Sequence, residues 1–172
     1  VQQTVASLLY EGLFVLDGQF EPQPLLCQSY TLDADGLTYT FTLQSGVTFS
    51  DGSALSANDV LATYRRAAES ERYAARFTNV ASMRVSGAAL VITLSRADAR
   101  FPALLDIPIV KAGSENMTVP PGTGPYLFVN DSDGAALIAG GSWWRGKKLP
   151  LERITLAAAK DNDTASSLFA SY

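Results

Sequence analysis

L-T-Y-T-F-T-L-Q-S-G-V-T-F-S-D-G-S-A-L-S-A-N-D-V-L-A-T-Y, from Leu37 to Tyr64, sets a strand, a tight turn, a second short strand and a capped helix in one continuous run. Tyr39, Phe41 and Leu43 alternate with Thr38, Thr40 and Thr42, the period-two pattern of a half-buried strand built from residues that suit a pleated surface. Ser45-Gly46 breaks the strand, and Val47 and Phe49 resume it. Asp51-Gly52 then supplies turn chemistry, an acceptor side chain followed by a residue that tolerates positive φ. Ser56 opens S-x-x-D, a capping box in which Asp59 stands in for the usual Glu, and Val60, Leu61, Tyr64 and Ala68 follow at helical spacing.

Working outward, Thr4 to Tyr10 reads as a short helix that leads through Glu11-Gly12 into a strand from Leu13 to Leu16. Met83 to Ser86 and Leu90 to Leu94 flank Gly87-Ala88-Ala89 as a hairpin, with Leu90, Ile92 and Leu94 on one face. Arg100 to Leu105 reads as a helical turn, and Pro108 to Pro121 as a loop. Strands are predicted at Tyr126 to Asn130, Ala135 to Ala139 and Arg153 to Ala158, with Ser132-Asp133-Gly134 turning between the first two. Asp161 or Asn162 caps a last helix through Ala170. The class is mixed, α+β passing into α/β.

The 172 residues suit one or two compact units. With 47% apolar and 17% charged residues the composition argues against disorder, and no apolar run is long enough to span a bilayer. A net charge of -4 opposes nucleic-acid binding, which relies on a basic face to neutralise phosphates. Only Arg145, Lys147 and Lys148 cluster, beside Trp143 and Trp144; a solvated turn with one core and one partly exposed tryptophan is the reading favoured over a stacking platform. Cys27, the single cysteine, reads as a small core residue rather than a reactive thiol.

Histidine is absent, which removes the commonest general base and transition-metal ligand. Paired carboxylates remain at Asp51 with Asp59, Asp33 with Asp35, and Asp161 with Asp163. A glycosidase needs such a pair at a fixed separation in a cleft, but Asp51 and Asp59 already have work as turn and cap. D-A-D-G from Asp33 and D-S-D-G from Asp131 lack the spacing and closing Glu of a calcium loop and read as turns. Gly122-x-Gly124 precedes a strand rather than a helix, so it lacks the setting of a phosphate loop and reads as backbone shape. No catalytic residue, cofactor or metal site is assigned. A carbohydrate-active hydrolase using paired aspartates and a stand-alone β-rich interaction module are the competing classes.

The Leu37 to Tyr64 run resembles the string Y-x-F-x-L-R-x-G-V-x-F-x-D-G-x-x-L-T-A-x-D-V of the bacterial extracellular solute-binding proteins of family 5, the oligopeptide, dipeptide and nickel receptors of ABC importers. Gln44 stands where Arg is common, and Ser56 where Thr is common. Leu9-Tyr10-Glu11-Gly12-Leu13 is similar to the family's L-Y-E-G-L, and Pro24 to Ser29 to its P-x-L-A-x-S. Gly122-Thr123-Gly124-Pro125-Tyr126 is similar to G-T-G-P-Y, and Trp143-Trp144-Arg145-Gly146 to Y-W-x-G. Several landmarks in register over nearly the whole chain make the likeness specific.

The resemblance implies a class II periplasmic-binding-protein-like fold of the type with an extra subdomain, and part of a first lobe with mixed sheets and few helices. Residues 1–108 would be the extra α+β subdomain and 109–172 the beginning of the main α/β domain, with a second lobe beyond Tyr172. It implies a non-catalytic, extracytoplasmic receptor, either periplasmic or held at the cell surface by a lipid anchor on a missing N-terminus, that delivers a small solute, most simply a peptide, to an ABC permease. Nickel complexes and oligosaccharides stay open as solutes. Tyr73 and Phe77 fall where the family places an aromatic on the pocket rim, with packing over the helix as the alternative for Tyr73. Tyr126 follows the G-T-G-P corner, facing either core or cleft. Apolar surface left uncovered in a partial lobe is expected to promote self-association.

Overall fold

The computed structural model describes residues 2–156 other than 115 and 142. Helix α1 (Gln2–Leu9) leads into the short antiparallel pair β1 (Phe14–Leu16) and β2 (Pro22–Pro24). Strands β3 (Cys27–Leu32) and β4 (Thr38–Leu43), helix α2 (Ala57–Glu69), and the hairpin of β5 (Val80–Ser86) and β6 (Ala89–Leu94) follow. They build an antiparallel sheet in the order β3-β4-β6-β5. Strands β7 (Tyr126–Asp131), β8 (Gly134–Ala139) and β9 (Arg153–Thr155) form a second antiparallel sheet. The helix expected at Asp161 to Ala170 lies outside the described residues, and the strand expected to reach Ala158 is described as far as Thr155.

The alternation in the opening run orders the core. Tyr39, Phe41 and Leu43 are buried while the intervening threonines are half-buried. Tyr39 sits opposite Ile92 and Phe41 opposite Leu90, so the buried faces of β4 and β6 coincide. Helix α2 adds Val60, Tyr64 and Ala67 to the same cluster. Phe14 meets Phe41 edge to face at 5.8 Å, and Tyr64 packs on Phe77 at 5.6 Å. The Tyr39 hydroxyl donates to the carbonyl of Asp98 at 2.8 Å, so this large ring is buried without orphaning its polar end. Cys27 is fully buried, its Sγ donating to Ser29 O at 3.2 Å, and burial pushes the thiol up to about 11.

Turn and cap take the expected forms. Gly52 adopts φ +84 and donates to Phe49 O at 2.9 Å, while the Asp51 carboxylate accepts from the Ser53 N–H at 3.0 Å. Asp59 reaches back to accept from the Ser56 N–H at 2.9 Å and its hydroxyl at 2.6 Å. Both aspartates also reach across the chain. Asp59 Oδ1 accepts from the Ala112 N–H at 2.9 Å, and Asp51 pairs with the Lys111 ammonium at 2.6 Å. The segment after Pro108 is therefore irregular but anchored.

Gly122 and Gly124 owe their presence to contact with the end of α1. A Cβ on Gly122 would lie 2.2 Å from Leu9 O, and one on Gly124 2.5 Å from Leu9 C. The close approach lets the Gly124 N–H donate to Leu9 O at 3.0 Å, satisfying a carbonyl of the helix's last turn. Gly124→Ala is expected to lower stability by about 1–3 kcal/mol through forced backbone displacement. Gly18→Ala, a site with nothing within 4 Å, serves as the near-neutral control, and comparison of the two midpoints in thermal melts checks this.

Candidate functional site

An open groove of about 990 Å³ runs between α1, the β1 strand and the segment that follows α2. Its size is within the range of small-molecule sites. Helix α2 ends at Glu69, and a 3-10 turn (Ala74–Phe77) follows. Arg72 and Arg76 place their guanidinium groups over the Tyr73 ring at 5.2 and 5.1 Å. On the other wall, Arg145 lies over Trp143 at 5.4 Å and Trp144 at 5.9 Å. Arg76 forms an ion pair with Asp106 and donates to Leu104 O at 3.0 Å.

At the base of the groove lies Glu11, only 6% exposed. One oxygen, Oε2, accepts both the Thr123 hydroxyl at 3.0 Å and the Trp144 indole N–H at 2.7 Å. Three segments separate in sequence thus meet at one carboxylate: Leu9 to Leu13, Gly122 to Tyr126 and Trp143 to Gly146. Burial raises the Glu11 pKa; the hydrogen bonds from Trp144 and Thr123, the charge of Arg145 and the neighbouring Trp143 indole pull it back in part. Trp143 Nε1 is itself buried with no acceptor in hydrogen-bonding geometry.

The aromatics singled out from sequence fall in different places. Tyr73 is half-buried and lines the groove. Phe77 is 6% exposed and packs into the core on Tyr64. Tyr126 is buried, its hydroxyl donating to Leu151 O at 3.0 Å, and borders a separate cavity of about 270 Å³. Trp143 and Trp144 are both half-buried rather than one in the core and one outside, because both frame the Glu11 carboxylate while their ring faces carry Arg145. Sequence reasoning passed over Glu11, Arg72 and Arg76, and took Arg145 only as part of a basic cluster on a solvated turn beside the tryptophans. The R-Y-A-A-R spacing of Arg72 to Arg76 was the available signal, since residues one turn apart share a helical face.

Residues 21–171 match the family described as bacterial extracellular solute-binding proteins, family 5 Middle. The chain is 32% identical to the glutathione-binding protein GsiB of Salmonella typhimurium, over 98% of this chain and 36% of that protein. NikA from Brucella suis, solved in complex with Fe(III)-EDTA, superposes with a TM-score of 0.82 at 22% identity, covering 97% of this chain and 37% of that one. The oligopeptide-binding protein AppA from Bacillus subtilis, in complex with a nonapeptide, superposes at 0.81 and 22% identity, covering 98% and 38%. The chain thus spans little more than a third of the length of these relatives. The fold is that of the periplasmic binding proteins of this type. The hydrolase and interaction-module readings are not favoured, because these relatives are binding proteins.

Two outcomes test the Glu11 node. The folded state holds the Glu11 proton more tightly than the unfolded state, so this residue's contribution is full below about pH 4.5 and is lost as pH rises through the raised folded value. Glu11→Gln keeps one carbonyl oxygen for both donors but cannot ionise. Its stability relative to the parent should therefore improve as pH rises across that window, as read in denaturant titrations at several pH values. Separately, Trp144→Phe should cost about 1.5–3 kcal/mol more through lost hydrogen bonding than Trp143→Phe, because only Trp144 donates to the carboxylate in good geometry. Chemical denaturation of the two variants measures the difference.

Proposed function

The chain belongs to family 5 of the bacterial extracellular solute-binding proteins, and on that premise we propose that it forms part of the solute-capturing receptor of an ABC importer, with small peptides as its solutes. The observation that carries this reading is the groove, open to solvent, walled by aromatic and guanidinium groups and set in a fold shared with peptide and metal-chelate receptors. Relatives that bind glutathione and a nonapeptide favour a peptide over other solutes. Tyr73 would give a flat wall to the solute; Phe77 would support it from the core, and Tyr126 would shape the neighbouring wall.

Residues 1–108 would form the extra subdomain and 109–172 would open the main domain, with α1 crossing back to rest on the Gly122 to Gly124 corner. Capture needs no covalent chemistry. A second lobe closing over the groove would add contacts only in the closed state, so the solute shifts the population toward the shape that the permease reads. The receptor would work outside the cytoplasmic membrane, held by the lipid anchor that its likeness to such receptors implies; among the described residues no helix is long and apolar enough to cross a membrane. Exposed Val15, Phe20, Tyr30 and Leu32 favour self-association at high concentration.

Disruption of the gene encoding this chain should abolish uptake of labelled di- and tripeptides, and a plasmid copy should restore it. Tyr73→Ala in that copy should weaken peptide capture about tenfold, near 1.4 kcal/mol. Undiminished peptide uptake in the disrupted strain, or a loss confined to nickel or oligosaccharide uptake, overturns the peptide reading.

A further inference from the structure

Charge is unevenly placed around the groove. The whole chain carries -4, yet the groove is lined by three guanidinium groups and only two carboxyl groups. Asp106 is taken by Arg76. Glu11 is sunk beneath the surface and committed to Thr123 and Trp144, so it tempers Arg145 from a distance without pairing with it. Among the described residues, Arg72 and Arg145 have no carboxylate at ion-pair distance.

Their presentation is as telling as their charge. Each of the two lies over an aromatic ring, Arg72 on Tyr73 and Arg145 on Trp143 and Trp144. An aromatic face attracts the guanidinium group but accepts few of its N–H bonds, so the edges that match a carboxylate stay available. A cation held in this way has also lost part of its side-chain freedom before a solute arrives, which lowers the cost of binding.

We propose that the groove selects solutes carrying one carboxylate more than they have ammonium groups, and holds the extra carboxylate on the N–H edges of Arg72 and Arg145. This rests on the peptide-receptor reading and narrows it from peptides in general to acidic ones. A zwitterionic peptide leaves the excess positive charge of the groove unanswered; an acidic one neutralises it with charge-assisted hydrogen bonds. The attraction is partly exposed and should weaken as salt is raised.

The test is an NMR titration of the 172-residue chain, following the arginine Nε–Hε and tryptophan indole signals. The probes are Ala-Glu-Ala, Ala-Gln-Ala, Ala-Lys-Ala and glutarate. Ala-Glu-Ala is expected to move the Arg72, Arg145 and Trp143 signals at about a tenfold lower concentration than Ala-Gln-Ala, with Ala-Lys-Ala weakest. The Arg72→Gln/Arg145→Gln double variant should lose this ranking while its amide spectrum stays otherwise unchanged. Arg72→Gln alone, at an exposed position, should lose part of it and guards against misfolding of the double variant. Equal binding of the three peptides overturns the proposal and leaves the peptide reading standing. Shifts with glutarate but with no peptide uphold the carboxylate site and overturn the peptide reading. A ranking that survives the double variant, or no shift with any probe, overturns the proposal.

Discussion

A carboxylate removed from water loses several kcal/mol of hydration, and the protein must return it through donors held in place. Glu11 imposes that demand on the chain. Its Oε2 is met by a hydroxyl from one distant segment and an indole N–H from another, while its backbone carbonyl accepts from the Ile109 N–H at 3.0 Å. The groove inherits its shape from this arrangement. Tyr10, Pro125 and Trp143, which wall it, are neighbours in sequence of the residues the carboxylate ties together. Stability and the shape of the groove are consequently set at one point.

Asp51 and Asp59 work in the same economical way in the second half of the opening run. Each first satisfies local backbone groups, one in a turn and one in a cap, and then extends to the segment around Lys111. Thr63 adds a reciprocal contact, its hydroxyl donating to Val110 O at 3.2 Å and accepting from Val110 N at 3.3 Å. A long irregular connection thereby gains fixed partners for its backbone without becoming a strand or helix.

How far the sequence could be read depended on the range of each interaction. Alternation in β4, the Asp51-Gly52 turn, the Ser56 cap and the β5-β6 hairpin are local, with every group needed for them within a few residues, and all were legible. The core face of α2 was nearly so: Val60 and Tyr64 are fully buried as anticipated, Leu61 and Ala68 pack partly buried against the same cluster, and Ala67 joins it unforeseen. The site was not legible, because its members lie at residues 11, 72, 76, 123 and 145, and no periodicity links positions so far apart. Glu11 was visible only as a letter in a motif; its chemistry exists once Thr123 and Trp144 arrive. The two tryptophans were misjudged for the same reason, since their exposure is set by a carboxylate 132 positions from Trp143. Phe77 looked equivalent to Tyr73 in sequence, yet the tight turn between them points one ring into the core and leaves the other on the groove.

Cys27 adds a practical property. The sole sulfhydryl of the chain is fully buried and stays protonated at neutral pH, and it is the thiolate that reacts with electrophiles. The native molecule is therefore silent toward maleimide dyes without any prior removal of cysteine. A single thiol installed at exposed Ala75, beside the groove, would take a fluorophore alone and report on what enters there.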